Sequence, residues 1–457
     1  MSVGRQELKG DAGPGTEKQR LDELAELIGR SLDSAAERGA SGAEAAVSVD
    51  RGLSVAVRMG EVETIEYHRS QGFGVTVYFG HRKGSASSTD LSPTAVADTV
   101  AAACRIAQYA AEDPYAGLPD ADTLAREFPK LDVFHPWNLD ADGAIGIAME
   151  CENAARGFDP EISNSEGASL DTFQGVRMLG NTLGFMHGYA SSRHSLSCSV
   201  IGQRDGQMQR DDWWTVARAP QDLEAAAEVG RKAAERTLSR LGARSLTTRQ
   251  CPVVFAADIA SSLLGHFIAA IRGGNLYRKS SFLLDCLGKP IFPEFVRIHE
   301  QPHLPRALGS VPYDSEGVAT YPRDLVSQGV LQSYVLSTYS ARKLGLKSTG
   351  NAGGVHNLTV EPGLLGLPEL LKTMDSGLLV TEMMGQGVNI VTGDYSRGAA
   401  GFWVENGVIQ YPVEEITIAG NLRSMFRGIQ AIGSDVDARG NTRTGSILID
   451  SMTVAGN

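Results

Sequence analysis

The sequence predicts an α+β protein of two domains: an α/β N-terminal domain with an antiparallel sheet and long helices, and a β-rich, barrel- or sandwich-like C-terminal domain. Three observations carry this. A chain of 457 residues is too long for one ordinary hydrophobic core. Apolar positions in the first half switch between helical spacing and strict alternation. The second half is dense in hairpin signals, and the 52 glycines of the chain exceed average usage and favour tight turns. The polar run ARSLTTRQ divides the domains at 18–243 and 244–457, behind a Gly- and charge-rich lead over 1–17 that is expected to be disordered.

From Lys18, the positions Leu21, Leu24, Leu27, Ile28 and Leu32 follow helical spacing toward Gly39. The period then becomes two, in Val47 and Val49, in Leu53, Val55 and Val57, and in Phe73, Val75, Val77 and Phe79, which predicts antiparallel strands with one buried face. Ser92-Pro93 supplies an N-cap and a proline at the first helical position, ahead of Val96, Val100, Cys104 and Ala107. A helix near Ala141 to Arg156 leads to strands over roughly Glu166 to Ala217, and an alanine-rich run predicts one long helix from Gln221 to Leu241. Next comes a buried strand, Pro252 to Ala256, and a helix opened by Asp258 and closed by Gly273-Gly274. Gln328-Gly329 and Asn406-Gly407 read as hairpin turns, the second a strong type I′ signal. Asn421 caps a short helix through Met425, Phe426 and Ile429, and SILIDSMTVAG ends the chain as a strand.

Composition excludes several function classes. A net charge of −12 and the lack of a basic stripe argue against nucleic-acid binding, which needs clustered Lys and Arg. The five cysteines, Cys104, Cys151, Cys198, Cys251 and Cys286, include no C-x-x-C pair and fit reduced, buried thiols. No apolar run follows Met1 and no stretch of 18 apolar residues occurs, so no signal peptide, no membrane span and a cytoplasmic location are expected.

The string His299-Glu300-Gln301-Pro302-His303 matches H-E-x-x-H, which binds zinc only when both histidines project from one helix face. Pro302 lies inside it, Pro293 and Pro305 flank it, and FVRIH reads as strand, so a loop with two exposed histidines is expected. His187 and His194 flank a serine-rich turn and read as structural. No nucleophile elbow, P-loop or G-x-G-x-x-G after a strand is present. Glu405, Glu414, Glu415, Asp435 and Asp437 lack EF-hand spacing and read as a solvated acidic face. Arg278-Lys279-Ser280-Ser281-Phe282, Tyr313-Asp314-Ser315-Glu316-Gly317-Val318 and Ser348-Thr349-Gly350-Asn351-Ala352 mix glycine or hydroxyls with charge. They suit either a groove that takes an extended peptide by strand addition or turn chemistry holding the C-terminal β structure. Arg278, Ser280, Ser281, Asp314, Glu316, Gly317, Gly350 and Asn351 are the groove candidates, with Asp314, Glu316 and Asn351 favoured.

These three segments, together with Cys251 to Leu283 and the N-terminal stretch EYHRSQGFGVTVYFGHRKGSASSTDLSPTAVADTV, resemble the TldD/PmbA family of bacterial peptidase subunits from about Leu21 to Asn457. In the catalytic, TldD-type members a His-Glu-x-x-x-His on the helix binds zinc and a late cysteine completes the site. Here the six positions are Gly265, His266, Phe267, Ile268, Ala269 and Ala270, and no cysteine follows Cys286. The resemblance therefore implies a PmbA-type (TldE-type) subunit with degenerate positions at Gly265, His266 and Ala270. It implies no cofactor in this chain and zinc in a TldD-type catalytic partner. Such a heterodimer degrades unfolded peptides and matures modified, microcin-type peptide antibiotics. A homodimer in isolation is also compatible, since closed two-fold pairs are common. Two other readings remain open: a self-sufficient hydrolase that assembles His266, His299 and His303, and a regulatory interaction protein acting on a target such as DNA gyrase.

Overall fold

The computed structural model describes residues 14–456. The lead expected over 1–17 lies largely outside the described residues, and its last four residues are already helical. The N-terminal elements are α1 (Pro14–Glu37), β1 (Gly42–Arg58), β2 (Glu61–Phe79), β3 (Arg82–Ser88), α2 (Pro93–Tyr109), α3 (Ala141–Arg156), β4 (Ile162–Asn181), β5 (Met186–Arg204), β6 (Gln207–Ala217) and α4 (Ala226–Ser239). The strands form one antiparallel sheet in the order β3-β2-β1-β4-β5-β6. Alternation on β1 sends Ala43, Ala45 and Val47 into a core with α1 and α2. Further along the same strand, Leu53, Val55 and Val57 meet α3 and α4. The opposite face is polar, with Ser48, Asp50 and Ser54 on β1 and Asp171 on β4.

The helix expected from Gln221 to Leu241 is shorter at its start. Pro220–Asp222 makes one 3₁₀ turn and Leu223 is extended. This turns the Glu224 carboxylate toward Trp213 Nε1 at 3.2 Å and Lys232 Nζ at 2.6 Å, and α4 begins only at Ala226. The Ser92 cap forms as expected and accepts from Ala95 N.

The C-terminal elements are β7 (Arg249–Phe255), α5 (Ala257–Ile271), α6 (Gly273–Tyr277), β8 (Ile298–Glu300), β9 (Arg323–Ser327), β10 (Val330–Leu331), α7 (Thr338–Leu344), β11 (Leu358–Val360), α8 (Leu367–Met374), β12 (Gly377–Met384), β13 (Asp394–Glu405), β14 (Val408–Asn421), α9 (Leu422–Arg427), β15 (Ile429–Ile432), β16 (Thr442–Arg443) and β17 (Ile447–Ala455). Strands β14-β13-β12-β7-β17 close into a barrel, because β14 also pairs with β17 through Thr417–Ala455 and Ala419–Thr453. Val253 and Phe255 of β7 join α5 in the main core, and Val254 faces outward onto α8. A second sheet runs β10-β9-β8-β11-β16. Both hairpin turns form with positive φ at each central residue: Gln328 and Gly329 at 49° and 72°, Asn406 and Gly407 at 52° and 71°. This is the conformation that type I′ turns require.

The two halves are stitched by the segment after α2. Ala125 N donates to Gly317 O and Ala319 N to Thr123 O, both at 2.9 Å. Leu124, Ala125, Leu179, Phe185 and Tyr313 make a small apolar cluster at this joint.

Candidate peptide-binding site

Helix α5 buries Leu263, Leu264, Phe267, Ala270 and Ile271 on one side. It starts at Ala257 behind Ala256, which has no side chain to cap it, and the Asp258 carboxylate expected to open it accepts instead from Arg236 Nη1 at 3.1 Å. Gly273-Gly274 does not simply close it. Arg272 is extended and the two glycines open α6. Gly265 is exposed, with open space where a Cβ would stand. Ala270 is completely buried. His266 lies edge-on to Tyr395, ring centroids 5.9 Å apart, and its Nε2 is buried without a hydrogen-bond partner. Burial, and secondarily the Arg397 guanidinium, push its pKa below the usual histidine value. A catalytic zinc takes three protein donors and a water. The helix offers one imidazole, and among the described residues no three His, Cys, Asp or Glu side chains form a metal-binding group. The residues present do not fit a zinc ion.

The H-E-x-x-H string is not the exposed loop that its prolines predict. His299 and Glu300 lie in β8, which is paired on both sides, and His299 is buried. His303 Nε2 lies 3.0 Å from Thr320 Oγ1, and desolvation lowers the pKa of both histidines. Glu300 is 2% exposed. It accepts from Arg323 Nε at 3.1 Å, Asn351 Nδ2 at 2.8 Å and His356 N at 2.6 Å. Burial raises its pKa against these partners. The other sequence histidines are also structural. His194 contacts Thr172 Oγ1 and His135 O at 2.8 and 2.9 Å, and His187 stacks on Phe128 at 3.5 Å.

The groove candidates separate into two groups. Arg278, Glu316 and Asn351 line one cavity of 510 Å³ together with Arg272, Tyr277 and Tyr339. Ser280, Ser281, Asp314, Gly317 and Gly350 do not line it. Ser281 Oγ donates to Ala270 O at 2.6 Å and accepts from Leu283 N, securing the end of α5. The buried Asp314 carboxylate, favoured as functional, is consumed by the backbone N–H groups of Glu316, Val318 and Ala352, all at 2.9 Å. Burial still outweighs those bonds and pushes its pKa up to about 7. Gly350 has φ +68° and a Cβ there would stand 2.5 Å from Ala319 O, so it serves the turn. Asn351 forms wall rather than free donor, because its amide is committed to Glu300 and Gly354 O.

A second cavity of 320 Å³ shares Glu316 and Tyr339 with the first and adds Glu44, Tyr78, His81, Lys83 and Asp113. Burial, then Glu316, raises Glu44 to about 7, opposed by Lys83. The Tyr78 hydroxyl donates to Glu44 at 3.4 Å, and Tyr339 Oη donates to Asp113 at 2.6 Å. The sequence carries no motif that places Glu44, Arg272 and Tyr339 at these cavities. Only the polar phase of an alternating strand marks Glu44, and nothing local ties it to Glu316.

Three consecutive segments match the PmbA/TldA metallopeptidase domain 1 (43–107), central domain (134–241) and C-terminal domain (248–456). The chain is 52% identical over 433 residues to the metalloprotease PmbA of Escherichia coli O157:H7, covering 95% of this chain and 96% of that protein. It is 48% identical to the metalloprotease PmbA homologue of Haemophilus influenzae, covering 96% and 98%. A Bacteroides thetaiotaomicron protein described as a candidate modulator of DNA gyrase shares the fold with a TM-score of 0.90 at 27% identity, covering 95% of this chain and 99% of that one. The chain belongs to the PmbA/TldD family of metallopeptidases.

Proposed function

We propose that this chain is the non-catalytic half of a two-chain zinc peptidase and that its linked cavities hold an extended peptide for a TldD-type partner. One observation carries this: the helix that should supply the metal donors presents an open Gly265, a buried Ala270 and a single wedged imidazole. In the partner, zinc would supply the polarised water for peptide hydrolysis. Here Arg272 and Arg278 can receive backbone carbonyls or acidic side chains, Glu316 can accept peptide N–H groups, and Tyr277 and Tyr339 offer aromatic walls. The substrates in this reading are unfolded peptides and modified peptide-antibiotic precursors in the cytoplasm. No helix among the described residues is long and apolar enough to cross a membrane.

The test is zinc content and peptide cleavage by the purified chain, alone and mixed with a TldD-type partner. Negligible zinc, no cleavage alone and cleavage by the mixture are expected. Stoichiometric zinc with robust cleavage by the chain alone would refute the proposal. Action on DNA gyrase is a second reading, favoured by the description that the Bacteroides protein carries. It requires that the chain alter supercoiling by purified gyrase without any peptidase partner present.

A further inference from the structure

Given the peptide-holding role, on which this rests, we propose that the 510 Å³ cavity is a carboxylate subsite: Arg272 and Arg278 grip an anionic group of the peptide and so fix which way it lies. Both guanidiniums line that cavity, and neither forms an ion pair among the described residues. The carboxylates around them are engaged elsewhere. Asp120 and Asp113 pair with Arg342 and Lys343 of α7 at 2.8 and 3.7 Å. Asp314 is taken by three backbone N–H groups. Glu316, the one acid among the described residues that line the cavity, accepts from Thr338 N at 2.9 Å. In a chain of net charge −12, two arginines without an acid on one cavity wall leave an unmet positive charge.

The local chain holds both side chains in place. Arg272 is extended between α5 and α6 and forms a parallel bridge with Val335, secured by Gly273 N to Val335 O at 2.9 Å and Val335 N to Ile271 O at 3.1 Å. A Cβ on Gly273 would collide with Ser340 Oγ, so glycine is what lets this backbone approach α7. Arg278 Nη2 donates to Asn275 Oδ1 at 3.3 Å, and Asn275 Nδ2 is itself fixed on Ala269 O at 2.8 Å. Asn275 thus orients the guanidinium while using one of its N–H groups. Gly274 keeps the space beside Nη2 clear, since a Cβ there would stand 3.4 Å from it. Donors held this way lose little entropy on binding, and the planar fork of arginine matches a carboxylate with two parallel bonds.

The other end carries the opposite charge. Glu44, Asp113 and Glu316 line the 320 Å³ cavity against Lys83, and Tyr339 stands on the wall of both cavities. A carboxylate is repelled from the Glu44 end and drawn to the arginine end, and an ammonium group is placed the other way round. The ligand is thus a peptide whose negative group enters the arginine cavity. That group is the C-terminal carboxylate or the side chain of an Asp or Glu.

Fluorescence anisotropy with the purified full chain tests this on peptides of neutral side chains labelled at the N-terminus: a free acid, its C-terminal amide, and the amide carrying one Glu. The free acid, the Glu-bearing amide or both should bind about tenfold or more tightly than the neutral amide, as charge-assisted bonds to arginine require. Tight binding of the free acid alone identifies the C-terminus, and tight binding of the Glu-bearing amide identifies a side chain. Arg272→Gln with Arg278→Gln should abolish the difference, and Arg278→Glu should turn it in favour of the neutral amide. Thermal midpoints should stay within a few degrees of wild type, because both side chains are exposed. Equal binding of all three peptides by the wild type, or a preference that survives the double variant, would overturn the subsite. Cleavage of the same peptides by the chain mixed with a TldD-type partner separates the subsite from the peptidase role. Equal binding with cleavage by the mixture removes the subsite alone. A carboxylate preference in binding with no cleavage by the mixture removes the peptidase role and leaves the subsite standing.

Discussion

Replacing Arg323 by methionine removes the one cation that, among the described residues, bridges to the buried Glu300 carboxylate, while keeping most of the side-chain volume. Arg323 Nε donates to Glu300 Oε2 at 3.1 Å and Nη1 to Ser333 Oγ at 3.2 Å, and Nη2 bonds Asn351. Both charged side chains are nearly solvent-free, at 9% and 3% exposure. Stranding one member of such a pair costs about 3–5 kcal/mol. Burial already raises the Glu300 pKa, so the stranded carboxyl takes up a proton more readily and the loss is smaller at pH 6 than at pH 8. Glu300→Gln in the Arg323→Met background keeps an acceptor for His356 N and should recover about 1–3 kcal/mol. Urea denaturation at both pH values measures this cycle. Peptide cleavage by the assembled complex, assayed where each variant is folded, gives the second readout. Glu300→Gln should leave turnover within a few-fold, whereas loss of a metallopeptidase general base costs orders of magnitude. A destabilisation by Arg323→Met below about 1 kcal/mol, or abolished turnover in a folded Glu300→Gln complex, would refute a structural role for this network.

Gly265→Ala should stabilise the chain by about 0.5–1 kcal/mol, read as a higher thermal midpoint, because a helical glycine with open space at its Cβ loses only backbone entropy. Glu44 and Asp314 titrate near 7 in the fold, well above the ordinary carboxylate range. Their contribution to stability is complete below about pH 4 and is lost as pH rises through 7, on the order of 3 kcal/mol for each. The denaturation midpoint should fall across that window, and Glu44→Gln with Asp314→Asn should flatten the slope. Arg278→Ala and Glu316→Gln should raise the KM of the complex for peptide by about 3–30-fold with little change in kcat, the pattern of lost uniform binding. Unchanged KM for both would remove the cavity from the reading.

Local chemistry was legible and long-range closure was not. Alternation at Val47, Leu53 and Phe73, the Ser92 cap and the Asn406-Gly407 turn all depend on neighbours within a few residues, and each formed as expected. Barrel closure depends on Thr417 meeting Ala455, a contact no local pattern encodes. The same limit governs the site. Arg278, Glu316 and Asn351 were visible as polar loop residues, yet only the fold adds Arg272 and Tyr339 to their cavity and removes Asp314 from it. An aspartate in a glycine turn binds backbone N–H groups as readily as a ligand, and sequence does not distinguish the two. His299 departs from the sequence expectation for a related reason. Nearby prolines signalled a loop, but pairing with both β9 and β11 made β8 a central strand.

Restoring the two histidines and the glutamate on α5 should not restore a metal centre, because α5 lacks the geometry as well as the donors. At about 100° per residue, positions 265 and 270 of a regular α-helix lie about 140° apart. Their burial agrees: Gly265 faces open space and Ala270 is enclosed, with its carbonyl bonded to Ser281 Oγ. A histidine at 270 would drive an imidazole into close-packed core, an overpacking cost of about 1–3 kcal/mol or more. A histidine at 265 would point elsewhere. The triple variant Gly265→His, His266→Glu, Ala270→His should therefore melt several degrees below wild type and retain far less than one equivalent of zinc after dialysis, and Gly265→His alone should melt near wild type. Stoichiometric zinc in a triple variant of undiminished thermal midpoint would show that the helix can rewind around an ion. The division of labour between this chain and a metal-bearing partner would then rest on donor side chains and not on the course of the helix.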